Sequence, residues 1–460
     1  MTVLFFAEAL LPSGWALDVR VEIAGGVIAS VQTGARATPG DERHDVGLPG
    51  MPNLHSHAFQ RGLAGLAEIR GPEHDNFWTW RELMYRFALA MSPEDVQAVA
   101  SLAYVEMLEA GFTRVGEFHY LHHDRDGTPF ADRAEMAGRI VAAAGETGIG
   151  LTLLPVFYAH GGFGGKPPTP GQRRFVCDPE GFAALLEASR RAAATHAGSV
   201  VGVAPHSLRA ITPEELAAIR PLAGDGPIHI HAAEQVREVE ECLAWSGRRP
   251  VEWLLDHAAP NGRWCFVHAT HMTAAETRRL AEAGVVAGLC PVTEANLGDG
   301  VFNGPGYLAC GGWFGIGSDS NVLIGVAEEL RQLEYGQRLQ CRQRNVMTRA
   351  EGASTGHSLY EAAVHGGSIA LGAPAAVLAP GARADLVSLD PANPALLGSR
   401  GPKLLGPQIL DGWIFAARTS LVDSVWVGGR KWVEGGRHRA REAILARYRR
   451  SLAGLLAGER

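Results

Sequence analysis

The chain has 460 residues, of which 46% are hydrophobic and 20% charged, a globular composition that excludes a disordered or fibrous protein. Lysine and arginine total 42 against 49 aspartates and glutamates, a net charge of −7 without the basic excess of a nucleic-acid binder. No apolar run approaches 18 residues, which excludes a membrane-spanning helix. The opening Met1-Thr-Val-Leu-Phe-Phe-Ala has no basic segment. Cys177, Cys242, Cys265, Cys290, Cys310 and Cys341 show no CxxC spacing and read as free thiols in a reducing compartment. A cytoplasmic protein with a small-molecule partner, no nucleic acid and no membrane is expected.

The first fifty residues read as short strands, with a hairpin signal at Ala24-Gly25-Gly26 inside Val19 to Val31. Asp385-Leu-Val-Ser-Leu-Asp390 and Val422-Asp-Ser-Val-Trp-Val427 repeat that style near the other end, followed by a helix from Arg439 to Leu456. The basic stretch Arg437 to Arg449 reads as a solvated helix face. The shared β character of the two ends predicts a smaller composite β-sandwich domain from residues 1–49 plus 373–460, closing helix included, with residues 50–372 inserted.

The insert alternates strands and helices. Apolar runs occur at Leu48–Asn53, Thr113–His119, Leu151–Tyr158, Val200–Pro205, Pro227–His231, Trp264–His268, Val285–Cys290 and Trp313–Asp319. Helix starts follow Ser92-Pro93-Glu94, Asp178-Pro179-Glu180, Thr212-Pro213-Glu214 and Thr273, with a stop at Gly111. Eight strands, most followed by a helix, predict an α/β fold of the (β/α)8 TIM-barrel type over 50–372. The alternative, a doubly wound open sheet, lacks any GxGxxG after a strand. Two long connections, 58–91 and 159–176, each follow a barrel strand and so belong on the catalytic face.

The histidines sit at strand ends. His55 and His57 are two apart on a strand and face the same way. His231 ends strand five, with Glu234 three residues on; His268 ends strand six and Asp319 strand eight. All lie on one rim, so His55, His57, His231 and Asp319 are candidate ligands of one metal ion. His229 shares His231's parity one layer deeper and reads as a packed core residue. His268 is either a ligand or an unligated acid. Strand four, Val201-Gly-Val-Ala-Pro-His206, offers no lysine for a bridging carbamate, which favours a single metal with His268 free.

This pattern of HxH, His-x-x-Glu after strand five, His after strand six and Asp after strand eight resembles the amidohydrolase superfamily, in its mononuclear deaminase branch. Pro380-Gly-Ala-Arg-Ala-Asp-Leu-Val-Ser-Leu-Asp390 is similar to that family's composite β domain. Met51-Pro-Asn-Leu-His-Ser-His-Ala-Phe-Gln-Arg-Gly62, Trp78-Thr-Trp-Arg-Glu-Leu-Met-Tyr85, Gly116-Glu-Phe-His-Tyr120, His206-Ser-Leu-Arg209 and Cys290-Pro-Val-Thr-Glu-Ala-Asn-Leu-Gly-Asp299 resemble the formiminoglutamate deiminases of histidine degradation. The resemblance implies one Zn²⁺ per subunit, a homodimer, and hydrolysis of N-formimino-L-glutamate to N-formyl-L-glutamate and ammonia. It implies Gln60, Arg81, Tyr120, His206 and Arg209 as the substrate site.

A dianionic substrate calls for guanidinium clamps, which Arg81 and Arg209 can supply. Arg173 and Arg174 are further candidates, whereas His119, His122 and His123 read as surface or supporting groups. Zinc can bring the pKa of a bound water to about 7. Asp319 would take that water's proton, Glu234 would carry a proton to the leaving nitrogen, and His268 would stabilise the attacking oxygen. An aminohydrolase of a flat heterocycle such as guanine or a triazine is the alternative, with Trp78 and Trp80 as its slot. A catalytically inactive barrel used as a scaffold is the third reading; it predicts lost ligands, and all four are present.

Overall fold

Between residues 50 and 372 the alternation of apolar runs and capped helices builds a ring of eight parallel strands. A computed structural model of the protein describes residues 2–70, 75–396 and 406–457. Strands one to four are Met51–Ser56, Phe112–His119, Gly150–Phe157 and the pair Val200–Val201 and Ala204–Pro205. Strands five to eight are Ile228–Ala232, Trp264–His268, Val286–Leu289 and Trp313–Ile316. Each half pairs parallel in chain order. Bridges Val203–Ile228 and Ser207–His231 join the halves at one seam, and Ser56–Asp319 joins them at the other. The metal motifs of strands one and eight therefore lie side by side at a closure point.

Two strand boundaries depart from the sequence reading. The run Leu48–Asn53 crosses two elements, because Glu42–Pro49 belongs to the terminal β sheet and the barrel begins only at Met51. Strand four is interrupted at Gly202, where a Cβ would lie 2.4 Å from the Pro227 carbonyl oxygen. The neighbouring strand approaches too closely for any side chain there.

The helix starts follow capping chemistry. Ser92, Thr212 and Thr273 accept hydrogen bonds from the backbone of Asp95, Glu215 and Glu276, whose carboxylates reach back to the cap residues. Asp178 caps through Gly181 N–H. Each such cap is worth about 1 kcal/mol.

The two termini share one eight-stranded sheet, in which Leu386–Leu389 pairs antiparallel with Glu42–Pro49, and Glu42–Pro49 pairs parallel with Thr2–Leu11. The sandwich expected from sequence is in hydrogen-bonding terms this single sheet. It turns back on itself where edge-strand residue Val27 bridges Arg383. Leu4, Phe6, Val21, Leu386 and Trp426 fill the enclosed core. Burial of a Phe6- or Leu386-sized side chain contributes roughly 1.5–3 kcal/mol. The closing helix, Arg441–Ala457, lies along the barrel helix Pro93–Glu109, with Ile444 against Leu102 and Val105. Arg441 and Arg447 pair with Glu109 and Glu146, so that basic face is partly neutralised by the barrel.

The two long connections meet over the C-terminal rim. The first holds a short 3-10 turn, Ala58–Leu63, and the helix Phe77–Ala90. Gln172 of the second donates to the hydroxyls of Tyr158 and Tyr85 at 2.6 and 3.3 Å. Arg174 is fully buried and donates to the Ala88, Met91 and His123 carbonyls.

Candidate active site

Four side chains converge where strands one, five and eight end. Nε2 of His55 lies 3.2 Å from Nε2 of both His57 and His231. Oδ1 of Asp319 lies 3.4 Å from His55 Nε2 and 3.3 Å from His57 Nε2. His57 donates from Nδ1 to the Phe118 carbonyl at 2.9 Å, and His231 donates from Nδ1 to the His206 carbonyl at 3.0 Å. Their Nε2 atoms therefore present lone pairs to the centre. Burial pushes His55 down to about 3 and lowers His57 and His231, so all three imidazoles are neutral at pH 7. Burial would raise Asp319, but the hydrogen bond and charge of His55 and its neighbours hold it well below the ordinary carboxylate range.

This donor set fits a divalent cation. At a metal–nitrogen distance of 2.0–2.1 Å, tetrahedral ligand atoms stand about 3.3 Å apart. His55 Nε2 keeps that spacing to His57, His231 and Asp319, as His57 does to Asp319, and three nitrogens plus one oxygen suit zinc chemistry.

The frame around the quartet is rigid. Asp319 N–H donates to the His55 carbonyl and His57 N–H to the Asp319 carbonyl. Asn321 Nδ2 donates to Ser56 Oγ, the His57 carbonyl and the Asp319 carbonyl, while Ser318 links Asn321 to Asn53. A Cβ at Gly317 would lie 2.7 Å from the His55 carbonyl oxygen, so only glycine lets the two strands come this close. Ala233, His268, Ala269, Asp319 and Asn321 all have left-handed φ, between 44° and 68°. Non-glycine residues in that region store about 1–3 kcal/mol each, and such strain gathers at active sites.

Beside the quartet stand Glu234 and His268. His268 Nε2 is 3.7 Å from Glu234 Oε1 and 3.8 Å from Asp319 Oδ2, and its Nδ1 is 3.2 Å from Glu294 Oε1. Burial alone would lower His268, but the surrounding carboxylates Glu234, Glu294 and Asp319 lift it to about 10. Glu234 is fixed from behind by Glu238, whose buried carboxylate accepts from the Ala233 and Glu234 amides.

The cleft above these groups is lined by Gln60, Trp80, Arg81, Tyr120, His206 and Arg209, among others, and encloses about 640 Å³ including its open mouth. Gln60 Nε2 donates to the Tyr120 hydroxyl at 2.9 Å, leaving Gln60 Oε1 buried without a partner. Arg209 donates to Ser207 Oγ and to Glu234 Oε2; its Nη1 and the Nε of Arg81 are buried and unpartnered. Burial works against the Arg209 charge, yet Glu238 and Glu234 hold it firmly cationic. Trp78 stacks on both guanidiniums, with Arg81 4.5 Å and Arg209 5.8 Å from a ring centroid.

Other sequence candidates lie elsewhere. Arg174 is consumed in tying the two long connections together, and Arg173 donates to the Arg125 and Pro170 carbonyls on the exposed side of its loop. His119, His122 and His123 are buried, not surface, groups, and none lines the cleft. His229 donates from Nε2 to the Ala370 carbonyl at 2.7 Å and is packed one layer below His231. Sequence reasoning passed over Glu238, Glu294, Asn321 and Glu117. Each is an ordinary helix-start, strand or loop residue by pattern, and only its contacts in the folded chain give it a role.

A closed barrel carrying three imidazoles and a carboxylate at its strand ends defines the metal-dependent amidohydrolases, and the chain belongs to the amidohydrolase family, whose model matches residues 46–432. It is a hydrolytic enzyme of that family. Residues 1–45 match the N-terminal domain of formimidoylglutamate deiminase HutF. The chain is 50% identical over 458 residues to formimidoylglutamate deiminase of Pseudomonas aeruginosa, an alignment covering 99% of this chain and 100% of that protein. A crystal structure of an amidohydrolase from Brucella melitensis superposes with a TM-score of 0.95 at 60% identity, covering 99% of this chain and 100% of that one. An adenosine deaminase from Xanthomonas campestris with bound zinc shares the fold, with a TM-score of 0.82 at 21% identity over 99% of this chain and 98% of that one.

Proposed function

We propose that the protein hydrolyses N-formimino-L-glutamate to N-formyl-L-glutamate and ammonia. The observation that carries this reading is one cleft lined by His57, His231 and Asp319 together with two guanidiniums, Arg81 and Arg209, each of which has a buried nitrogen without a partner. A substrate with an amidine and two carboxylates matches both. The Pseudomonas relative, similar from end to end, supports it. A flat heterocycle would offer the two guanidiniums no carboxylate, and Trp78 already stacks on them.

His55, His57, His231 and Asp319 would hold the metal, for which we propose Zn²⁺ from the three-nitrogen, one-oxygen donor set. Bound there, it would supply an activated water, with a pKa near about 7, and polarise the electrophile. The chain's own groups do the rest. Asp319 is ionised and takes a proton from the attacking water. The oxygen adds to the amidine carbon, and the C=N electron pair moves onto nitrogen. With the amidine bound as its cation, that nitrogen becomes an NH2 group; Glu234, beside the quartet and fixed by Glu238, delivers to it the proton Asp319 took from the water. As the adduct's hydroxyl gives its own proton to Asp319 and becomes C=O, the C–N bond breaks with ammonia leaving. His268 stabilises the attacking oxygen from Nε2. Gln60, Tyr120, His206, Arg81 and Arg209 bind and orient the substrate. Positioned acid–base groups of this kind contribute about 10²–10⁴-fold.

A cytoplasmic homodimer is part of the same proposal; no helix among the described residues is long and apolar enough to cross a membrane. The test is an ammonia-release assay on purified protein, with N-formimino-L-glutamate beside guanine and a triazine, and metal analysis of the same sample. Turnover of the amidine is the expected result. Release from a heterocycle alone would overturn the substrate assignment.

A further inference from the structure

We propose that Glu294 is a positioning residue: its buried carboxylate holds the His268 imidazole by Nδ1, so that Nε2 faces the reacting centre between Glu234 and Asp319. The helix Pro291–Leu297 starts one residue after Cys290, which itself follows strand seven. Cys290 makes no side-chain cap there. Glu294 reaches back instead, and its Oε1 accepts from Cys290 N–H at 2.9 Å. The same oxygen lies 3.2 Å from His268 Nδ1. One backbone donor thus fixes the carboxylate, and the carboxylate in turn fixes the ring.

Stacking sets the plane of that ring, and the carboxylates of Glu234 and Asp319 stand farther from Nε2, at 3.7 and 3.8 Å, than Glu294 does from Nδ1. His268 has φ of +68° and Ala269 φ of +49°, a strained exit from strand six that turns the side chain toward the rim. Its ring stacks on His231, with centroids 5.5 Å apart and planes 16° apart. Stacking tolerates a half-turn about the Cβ–Cγ bond, which would exchange a nitrogen for a carbon on each edge. A carboxylate beside Nδ1 does not tolerate it, because the flipped ring would offer C–H in place of N–H. Glu294 therefore selects the flip state and, by accepting from Nδ1, keeps Nε2 as the nitrogen that His268 aims at the cleft.

His268, Cys290 and Glu294 are close enough to form a candidate cation cluster in their own right. The hydrogen-bond reading accounts for them better. Glu294 Oε1 is occupied by an amide donor, and burial favours the Cys290 thiol over the thiolate a metal needs.

The test uses zinc-loaded wild type, Glu294→Ala, Glu294→Gln, His268→Ala and the double variant His268→Ala/Glu294→Ala. Ammonia release is measured with N-formimino-L-glutamate, and so rests on the substrate reading above; metal content is measured alongside. Glu294→Ala is expected to lower kcat about 10- to 100-fold with KM changed less than about twofold. It should retain one metal per chain. Glu294→Gln, whose amide oxygen can still accept from Nδ1, should recover part of the loss. The double variant should be no slower than His268→Ala, because Glu294 acts through that ring. Unchanged kcat in Glu294→Ala, losses that multiply in the double variant, or two metals in wild type falling to one in Glu294→Ala would each overturn the proposal. If Glu294→Ala does not fold, the same cycle is run with Glu294→Gln, and a loss that persists without His268 overturns it equally. A wild type that releases no ammonia refutes the substrate reading alone. The role of Glu294 is then read from a crystal structure of the variant: a rotated His268 ring supports it, and an unmoved ring sinks it.

Discussion

Arg209 donates from Nη2 to Oε2 of Glu234 at 3.2 Å, in a site where both side chains are at least nine-tenths buried, while its Nη1 has no partner. The cation that would bind a substrate carboxylate is thus already paired with the group that would move the proton.

Arg81→Ala and Arg209→Ala should therefore differ. A charge-assisted hydrogen bond is worth about 1.5–3 kcal/mol, so each should raise KM for N-formimino-L-glutamate by roughly 10- to 150-fold. Arg209→Ala should also lower kcat, because Glu234 loses its buried partner. Steady-state ammonia release checks this. Near-normal constants in both variants would remove the dicarboxylate assignment.

Metal analysis should find one divalent ion per chain in the wild type and much less in His231→Ala or Asp319→Asn. Chelation should abolish turnover and lower the melting temperature, since an ion that binds only the folded state stabilises it. Zinc should restore both. A chelated protein that keeps full activity would contradict the quartet's role.

Glu117 supports the loop after His57 from behind. Its Oε1 accepts from Ala58 N–H at 2.8 Å and its Oε2 from the Tyr104 hydroxyl at 3.1 Å. Burial raises its carboxyl to about 8, against 4.5 in the open chain. Between those values the folded protein holds a proton that the unfolded chain has released, so unfolding gives up a proton and rising pH favours it. The contribution is complete below about 4.5 and is lost as pH climbs through about 8. Melting temperatures of the wild type should fall more steeply from pH 6 to 9 than those of Glu117→Gln. Parallel curves would show that the carboxyl is already ionised at neutral pH.

Thiol accessibility offers a check on the core. Cys310 and Cys341 are exposed, while Cys177, Cys242, Cys265 and Cys290 are buried. Burial pushes Cys177 and Cys242 to about 12. A thiol reagent at neutral pH should titrate two groups per native chain quickly and the other four only after unfolding. Rapid reaction of all six would mean that the barrel opens readily.

How far the site was legible depended on periodicity. Residues two apart on a strand share a face, and the C-terminal ends of barrel strands share a rim. Those two rules suffice to place His55, His57, His231 and Asp319 on one stretch of the rim, with Glu234 and His268 beside them. The capped helix starts at Ser92, Asp178, Thr212 and Thr273 were legible for a similar reason, because capping is settled within four residues of chain. Arg173 and Arg174 show where local pattern fails. Both looked available for a ligand, and the fold spends one on the surface and the other on a buried strap.

The chain's order of residues by itself determined the ring of eight strands and the rim on which the candidate ligands stand, since these follow from short-range spacing and the fixed geometry of strands. Only the tertiary structure decided which groups would face inward as unsatisfied cations, that Glu238 would brace Glu234, and that Glu294 would turn back to His268. Such pairings join residues on different elements, and their energies depend on burial and on distances of a few tenths of an ångström, which no pattern along the chain encodes.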